Sequence, residues 1–379
     1  MKIVYVGSDA LVCGASFSMA KLIDEEKKLG IEVVPVVHTG NTEKILVEKG
    51  EKHYIVDSWS WMVGNDENPI KKILYGAIKS VLNIPCYFKY KRIIKKENPD
   101  IVHLNALTTY SAAHAAIKLN KPVVWHIREM MEEDLNGTFW NKKMAYTLMK
   151  KATQFIAISK CVENKYKAIV GHENIQCIYN GVDIETFYNK DHEILNDSNV
   201  VITMAGRITR EKGQLLCLKE LLPILKKNPN VILQFAGVGN ENELNAIVEL
   251  RNKEGISEEQ VKFLGFVKEV NRLWSKTDIA IVYSKFEAFG RVTVEAKMAG
   301  ALVVGFDSGG TSELIKNGVD GYLFDGNVCT LNQIVQMILS DKEKSKKVAR
   351  EGRKSAAEIF TSENNAKQIW QLYKDILQV

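Results

Sequence analysis

Short runs of β-branched residues alternate with helix-length segments, and the rhythm occurs twice along the chain. In the first half the runs are Lys2–Val6, Glu32–Val37, Lys52–Val56, Ile101–Leu104, Val123–Ile127, Gln154–Ile158 and Gln176–Tyr179. The pattern restarts in the stretch from Asn199 to Gly206. It continues through Val231–Ala236, Val261–Leu264, Ile279–Tyr283, Leu302–Phe306 and Gly321–Phe324. Strands separated by helical segments predict parallel sheets with right-handed crossovers. A chain of 379 residues is also too long for one typical core. The expected fold class is therefore α/β, with two similar domains facing across a cleft. Their expected extents are 1–190 and 191–360, with a C-terminal helix over 361–379 able to pack back on the first domain. The polar stretch Asn189–Ser198 reads as the linker. In the last segment Ile369, Leu372, Tyr373 and Ile376 recur at helical spacing, so Trp370 and Tyr373 read as core rather than ligand contacts.

No apolar run reaches the roughly 18 residues that a membrane span needs. The N-terminal run is cut short by Asp9 and reads as a strand rather than a secretion signal. Six scattered cysteines without a Cys-x-x-Cys pair fit a reducing cytoplasm, and seven histidines show no His-Glu-x-x-His spacing. No metal site is expected. The net charge of +5 lies wholly in residues 1–190, the remainder being neutral. Much of it falls between Ile70 and Lys96, which holds eight basic residues, no acid, and many interleaved apolar and aromatic side chains. Such a segment suits an anionic membrane surface, where each basic residue contributes about 1 kcal/mol. The plainer alternative is one or two amphipathic helices with a core face and solvated lysines. Nucleic-acid binding is not expected, since the segment is as apolar as it is basic.

The candidate chemistry sits where strands end, which is where open α/β sheets bind ligands. Glu287 follows the run Ile279–Tyr283, and Glu295 lies one helical segment later; carboxylates there can accept hydrogen bonds from sugar or ribose hydroxyls. In Gly206-Arg-Ile-Thr-Arg-Glu-Lys-Gly213, Arg207 and Lys212 can meet a diphosphate as a planar fork and a point charge. Basic loop residues are also common as plain solvated surface. Gly237-Val-Gly239 is a fragment of a nucleotide-binding turn, and Gly265-Phe266 can border a planar base. The small-residue loop Gly7–Ser16, with Gly14, precedes a helix over Phe17–Leu29 and lacks the Gly-x-Gly-x-x-Gly fingerprint. His126 ends a strand, with Arg128 and Glu129 just beyond; both a structural and a functional role are open to it. The run from Tyr179 to Asp183 reads as a tight turn. In Gly309-Gly-Thr-Ser-Glu313, Thr311 or Ser312 is placed to cap a helix, or the glycines let backbone approach a ligand.

Taken in order, these pieces resemble a retaining glycosyltransferase of the two-Rossmann-domain GT-B type, family 4. The carrying residues are Gly206-Arg207 with Glu211-Lys212-Gly213, Gly237-x-Gly239, Gly265-Phe266, Glu287-x₇-Glu295, Ala299-Gly300 before Val303-Val304, Gly309-Gly310-x-x-Glu313, and Asn180-Gly-Val-Asp183. The resemblance covers nearly the whole chain and is densest over 199–325. It implies a nucleotide-diphosphate sugar donor, such as a UDP- or GDP-sugar, and no cofactor. By the same resemblance Glu295 holds the ribose and Glu287 the sugar hydroxyls. Arg207 and Lys212 neutralise the leaving diphosphate, with the amides after Phe289-Gly290 beside it. His126 lies beside the donor sugar and Gly14 near phosphate or acceptor. Cys13-Gly14-Ala15-Ser16 departs from the commoner Gly-Gly pair, Tyr283-Ser284 lacks a preceding proline, and His126-Ile-Arg-Glu129 varies the usual His-Asp pairing. The implied acceptor is lipid-linked or otherwise membrane-associated, for a surface polysaccharide or glycolipid, at the inner face of the cytoplasmic membrane. Two alternatives keep the fold: a nucleotide-sugar epimerase, and a catalytically silent nucleotide-sugar-binding scaffold.

Overall fold

A computed structural model describes residues 1–7 and 14–379, which form two units: Met1–Gly181 with Ser362–Val379, and Val182–Thr361. The strands of the first unit are β1 (Lys2–Val6), β2 (Glu32–Val37), β3 (Tyr54–Ile55), β4 (Met62–Gly64), β5 (Ile101–Asn105), β6 (Val123–Ile127), β7 (Gly137–Phe139), β8 (Gln154–Ala157) and β9 (Ile175–Cys177). Seven of them make one parallel sheet in the order β3-β2-β1-β5-β6-β8-β9, while β4 and β7 pair antiparallel on their own. The short β4–β7 pair was not legible in the sequence, because three residues are too few to show a period.

The central strands β1, β5 and β6 are buried where their runs are β-branched: Ile3, Val4, Val6, Ile101, Val102, Val123 and Val124 are almost inaccessible. Burying each such side chain stabilises the unit by about 1.5–3 kcal/mol. The C-terminal helix Ser362–Leu377 belongs to this unit, where Ala366, Ile369, Leu372 and Tyr373 join the core of Ile3, Met19, Leu22 and Ile23. The sheet order turns at β1, whose neighbours are β2 and β5, so the switch point lies between β1 and β5.

The acid-free segment forms one helix, Pro69–Glu97. Asn68 starts it by accepting from the Ile70 amide, Pro69 takes the first turn, and Asn98 ends it in the left-handed region. Pro85 lies inside it. One side is anchored through the buried Asn83, whose amide donates to the Trp59 carbonyl and the Tyr110 hydroxyl. The other side is exposed and is largely apolar, including Ile70, Ile73, Leu74, Val81, Ile84 and Phe88.

The second unit holds β10 (Val200–Ala205), β11 (Val231–Ala236), β12 (Val261–Gly265), β13 (Ile279–Val282), β14 (Leu302–Phe306) and β15 (Tyr322–Phe324). They form one parallel sheet, β12-β11-β10-β13-β14-β15, whose switch point lies between β10 and β13. The polar run Asn189–Ser198, expected as a linker, is part of this unit. The His192 ring nitrogens lie 2.6 and 3.1 Å from the Ser275 and Thr277 carbonyls, Glu193 pairs with Arg350, and Ile194 and Leu195 are buried in the core. Polarity alone suggested a linker. Polar side chains pack when backbone carbonyls are there to meet them, and sequence does not display those carbonyls.

Candidate active site

The loops after β10, β11 and β12 lie against one another. The Gly206 amide donates to the Ala236 carbonyl at 2.9 Å, and the Gly237 amide to the Gly265 carbonyl at 2.8 Å. Gly206, Gly237 and Gly265 all have positive φ. At Gly237 this is compulsory twice over, since a Cβ there would lie 1.9 Å from the Gly206 carbonyl oxygen and φ is 151°. Arg207, just past this junction, is exposed, and so is Phe266, which follows Gly265. Gln214 fixes the Arg207 loop by donating to the Arg207 carbonyl at 2.8 Å. Gly213, in the left-handed region, then opens the helix Gln214–Lys227.

Lys212 follows β10 and Glu287 follows β13, so the two come from opposite sides of the switch point. The Lys212 ammonium donates to Glu287 Oε1 at 2.5 Å. The helix Arg291–Met298 begins four residues beyond Glu287, with Gly290 at φ 90° before its first residue. Phe289 is buried and packs its ring against Phe360, so what it offers a ligand is backbone rather than ring. Gly309 and Gly310 press against this loop: the Gly310 amide donates to the Glu287 carbonyl at 2.7 Å. The helix Gly309–Leu314 is preceded by Ser308, so neither Thr311 nor Ser312 caps it. Thr311 is buried instead, and Ser312 donates back to the Gly309 carbonyl.

Glu295 is mostly buried, and Arg291 one turn earlier donates to its Oε1 from Nε (3.1 Å) and Nη2 (2.9 Å). The partner was readable as an i, i+4 spacing of opposite charges. Lys297 had no such signal. It is wholly buried, donates to the Leu314 carbonyl at 2.8 Å, and pairs with Asp320 Oδ2 at 3.0 Å. Asp320 also accepts from the Lys316 amide and the Ser355 hydroxyl. This cluster ties the Glu295-bearing helix to the segment behind it. Burial lowers the Lys297 pKa, and the adjoining Asp320 carboxylate opposes that shift.

Of the first-unit candidates, Gly14 opens the helix Gly14–Lys28, while the loop residues 8–13 lie outside the described residues. His126 sits on β6 and is fully buried. Its Nδ1 lies 3.2 Å from His103 Nε2 and 3.4 Å from Arg128 Nη2; among the described residues its Nε2 has no partner. Arg128 also donates to Asn105 and, at 2.6 Å, to Asn180 of the Tyr179–Asp183 turn. Burial first and the Arg128 charge second hold both imidazoles well below their ordinary pKa, so both are neutral at physiological pH. Next to the switch point, Ala106 takes φ 103°, an unfavourable value for a side-chain-bearing residue; its carbonyl accepts from the Trp125 indole at 2.8 Å. The sequence showed neither the strain nor the ring that holds it.

Comparison with known proteins agrees with this arrangement. The model of the family "Glycosyl transferases group 1" matches residues 186–355, and that of "Glycosyltransferase Family 4" matches 12–186. A glycosyltransferase of Methanocaldococcus jannaschii, MJ1607, is 27% identical over 251 residues, 62% of this chain and 63% of that protein. The chain thus spans less than two thirds of that relative. The capsular polysaccharide biosynthesis glycosyltransferase CapM of Staphylococcus aureus is 24% identical over 82% of this chain and 84% of its own. HepE of Anabaena, solved with UDP and glucose, superposes with TM-score 0.79 at 23% identity, covering 98% and 99% of the two chains. With both family models together spanning almost its whole length, and with two parallel α/β sheets of this order, the chain belongs to glycosyltransferase family 4 and has the GT-B fold.

Proposed function

We propose that the protein is a retaining, metal-independent glycosyltransferase that moves a sugar from a nucleotide-diphosphate donor to a hydroxyl of a lipid-linked or membrane-associated acceptor. The observation that carries this is the Lys212–Glu287 pair, formed across the switch point of the second sheet beside the start of the helix Arg291–Met298. An arriving diphosphate competes for the Lys212 ammonium, with the exposed Arg207 guanidinium as a second cation. Glu287 is then released to accept from hydroxyls of the sugar. As the bond between the anomeric carbon and the diphosphate breaks, negative charge gathers on the leaving oxygen. Fixed cations and helix amides stabilise that charge without reorganising. The acceptor hydroxyl attacks the face that the leaving group vacates and gives its proton to the departing diphosphate oxygen, so the anomeric configuration is kept. Glu287 is not a nucleophile in this scheme. Glu295 holds the ribose hydroxyls with the acceptor capacity that Arg291 leaves it, Phe266 borders the base, and His126 meets the transferred sugar.

A UDP-sugar donor is supported by HepE, which binds UDP and glucose, and a surface polysaccharide product by the role that CapM's name gives it. Peripheral contact with the inner face of the cytoplasmic membrane is supported by the helix Pro69–Glu97, with its exposed apolar side and its basic residues. Among the described residues no helix is long and apolar enough to cross a membrane.

A thermal-shift screen of the purified protein against UDP, GDP, ADP, CDP and their sugar conjugates tests the donor site, because a ligand of the native state alone must raise the Tm. One diphosphate standing out, with the shift weakened in Glu295→Ala, is the expected result. No shift with any of them, and a Glu295→Ala protein indistinguishable from the parent, would leave the silent scaffold. Donor consumption without an acceptor would favour an epimerase.

A further inference from the structure

A row of buried polar side chains runs through the first unit from the helix Gly14–Lys28 to His126. Glu26 Oε1 and the Tyr373 hydroxyl are 3.0 Å apart, the Tyr373 hydroxyl and His103 Nδ1 2.5 Å, and His103 Nε2 and His126 Nδ1 3.2 Å. All four side chains are wholly buried. His103 and His126 share a sheet face because Asn105, two residues after His103, is the β5 register partner of His126. Tyr5 is the register partner of His103 on β1 and stacks on its ring at 4.1 Å. Tyr373 arrives from the C-terminal helix, 270 residues away in sequence.

Counting donors gives this row a direction. Arg128 has only donors, so the atom it faces on His126, Nδ1, must accept. A neutral His126 then carries its proton on Nε2. Since His126 Nδ1 accepts, His103 Nε2 is the donor, and the neutral His103 ring accepts at Nδ1. Tyr373 must spend its single proton there. Its oxygen has none left for Glu26, so Glu26 must donate to Tyr373 and carries a proton itself. Glu26 Oε2 is buried without a partner among the described residues, a costly arrangement for a carboxylate and a tolerable one for a neutral acid.

We propose that Glu26, Tyr373 and His103 are positioning residues forming a one-way hydrogen-bond chain that fixes His126 as the Nε2–H tautomer, so that His126 serves its substrate as a hydrogen-bond donor. The proposal rests on the reading above for what His126 meets, but not for the chain itself. The groups facing Glu26 are Tyr5 from β1, Tyr373 from the C-terminal helix, and Arg128 beyond β6. Burial outweighs both the hydrogen bond with Tyr373 and the Arg128 charge, and raises the Glu26 pKa to about 8. Above that value Glu26 ionises and takes the Tyr373 proton into its own hydrogen bond. His103 then loses its donor, and the Nε2–H tautomer of His126 is left to Arg128 alone.

Two measurements test this. The first needs no substrate: the ring ¹⁵N and ¹³C shifts of histidine-labelled protein, assigned with His126→Gln and His103→Gln. The expected result at pH 7 is Nε2–H on both rings, with the spectrum changing between pH 7 and 9 in the parent and not in Glu26→Gln, whose amide donates to Tyr373 at every pH. An Nδ1–H tautomer on His126 at pH 7, or the same change persisting in Glu26→Gln, overturns the chain. The second is the pH profile of kcat with the donor found in the thermal screen. Tyr373→Phe should lower kcat about tenfold with KM for the donor little changed. Glu26→Gln should keep parental kcat at pH 7 and lose the alkaline fall. A Tyr373→Phe protein with parental kcat, or an alkaline fall unchanged in Glu26→Gln, also overturns it. If no donor is turned over but the tautomers are as expected, the functional reading fails and the chain stands.

Discussion

Each unit places a buried polar device behind its site residues, and the two solve the cost of burial in opposite ways. In the second unit Lys297 meets Asp320, opposite charges 3.0 Å apart, and further hydrogen bonds to the Leu314 carbonyl, the Lys316 amide and Ser355 satisfy what the pair leaves open. In the first unit Glu26 meets Tyr373, with no charged partner bonded to it, and burial pushes it toward the neutral acid. A charge can stay buried when a counter-charge and donors surround it; otherwise the group gives up the charge. The first device gives rigidity to the Glu295 helix. The second gives direction to a hydrogen-bond chain.

The contrast is easiest to break at Asp320. Asp320→Ala strands the Lys297 ammonium and should cost about 3–5 kcal/mol in urea unfolding, whereas Lys297→Met together with Asp320→Ala should recover most of the loss. A single variant as stable as the parent would mean that the pair is not holding a charge. Next in size is Lys212→Ala, at a half-buried pair rather than a wholly buried one. It should slow transfer by about 1.5–3 kcal/mol of barrier, with folding little affected. Unchanged kcat in folded Lys212→Ala and Arg207→Ala proteins would remove the cations from the mechanism.

Tyr373→Phe should destabilise by about 2 kcal/mol, since it deletes two neutral hydrogen bonds, one with His103 and one with Glu26. A cost like that of Asp320→Ala would mean Glu26 is charged after all. The smallest effect is a slope. Folding raises the Glu26 pKa from 4.5 to about 8, so between those values the folded chain keeps a proton that the unfolded chain has lost. The Glu26 contribution to stability is complete below pH 4.5, declines as pH rises to about 8, and then levels off. Comparing Glu26→Gln with the parent by chemical unfolding at pH 5, 7 and 9 isolates it, and an identical slope in both proteins would count against a protonated Glu26.

Much of the second unit's site could be read along the chain because it is local: Arg207 and Lys212 share one loop, Glu287 and Glu295 flank one turn, and Gly237 marks a backbone that admits no Cβ. What could not be read was pairing across distance. Lys212 and Glu287 are 75 residues apart, and only the β10–β13 neighbourhood shows that they touch. The helix Pro69–Glu97 was legible as amphipathic, and the structure added which side is anchored, through Asn83, and which is exposed. Asn189–Ser198 was misread because a polar run looks the same whether it meets water or backbone carbonyls.

Composition and period by themselves determined that this chain makes two parallel α/β sheets, since β-branched runs spaced by helices have few other ways to bury their apolar faces. The glycine-marked loops at strand ends followed from the same pattern, because a turn without room for a Cβ constrains the residue type directly. Only the tertiary structure decided which polar groups would be charged. That depends on what a fold brings within about 3 Å of a buried atom, and Tyr373 reaches His103 only once the C-terminal helix has packed against the first sheet.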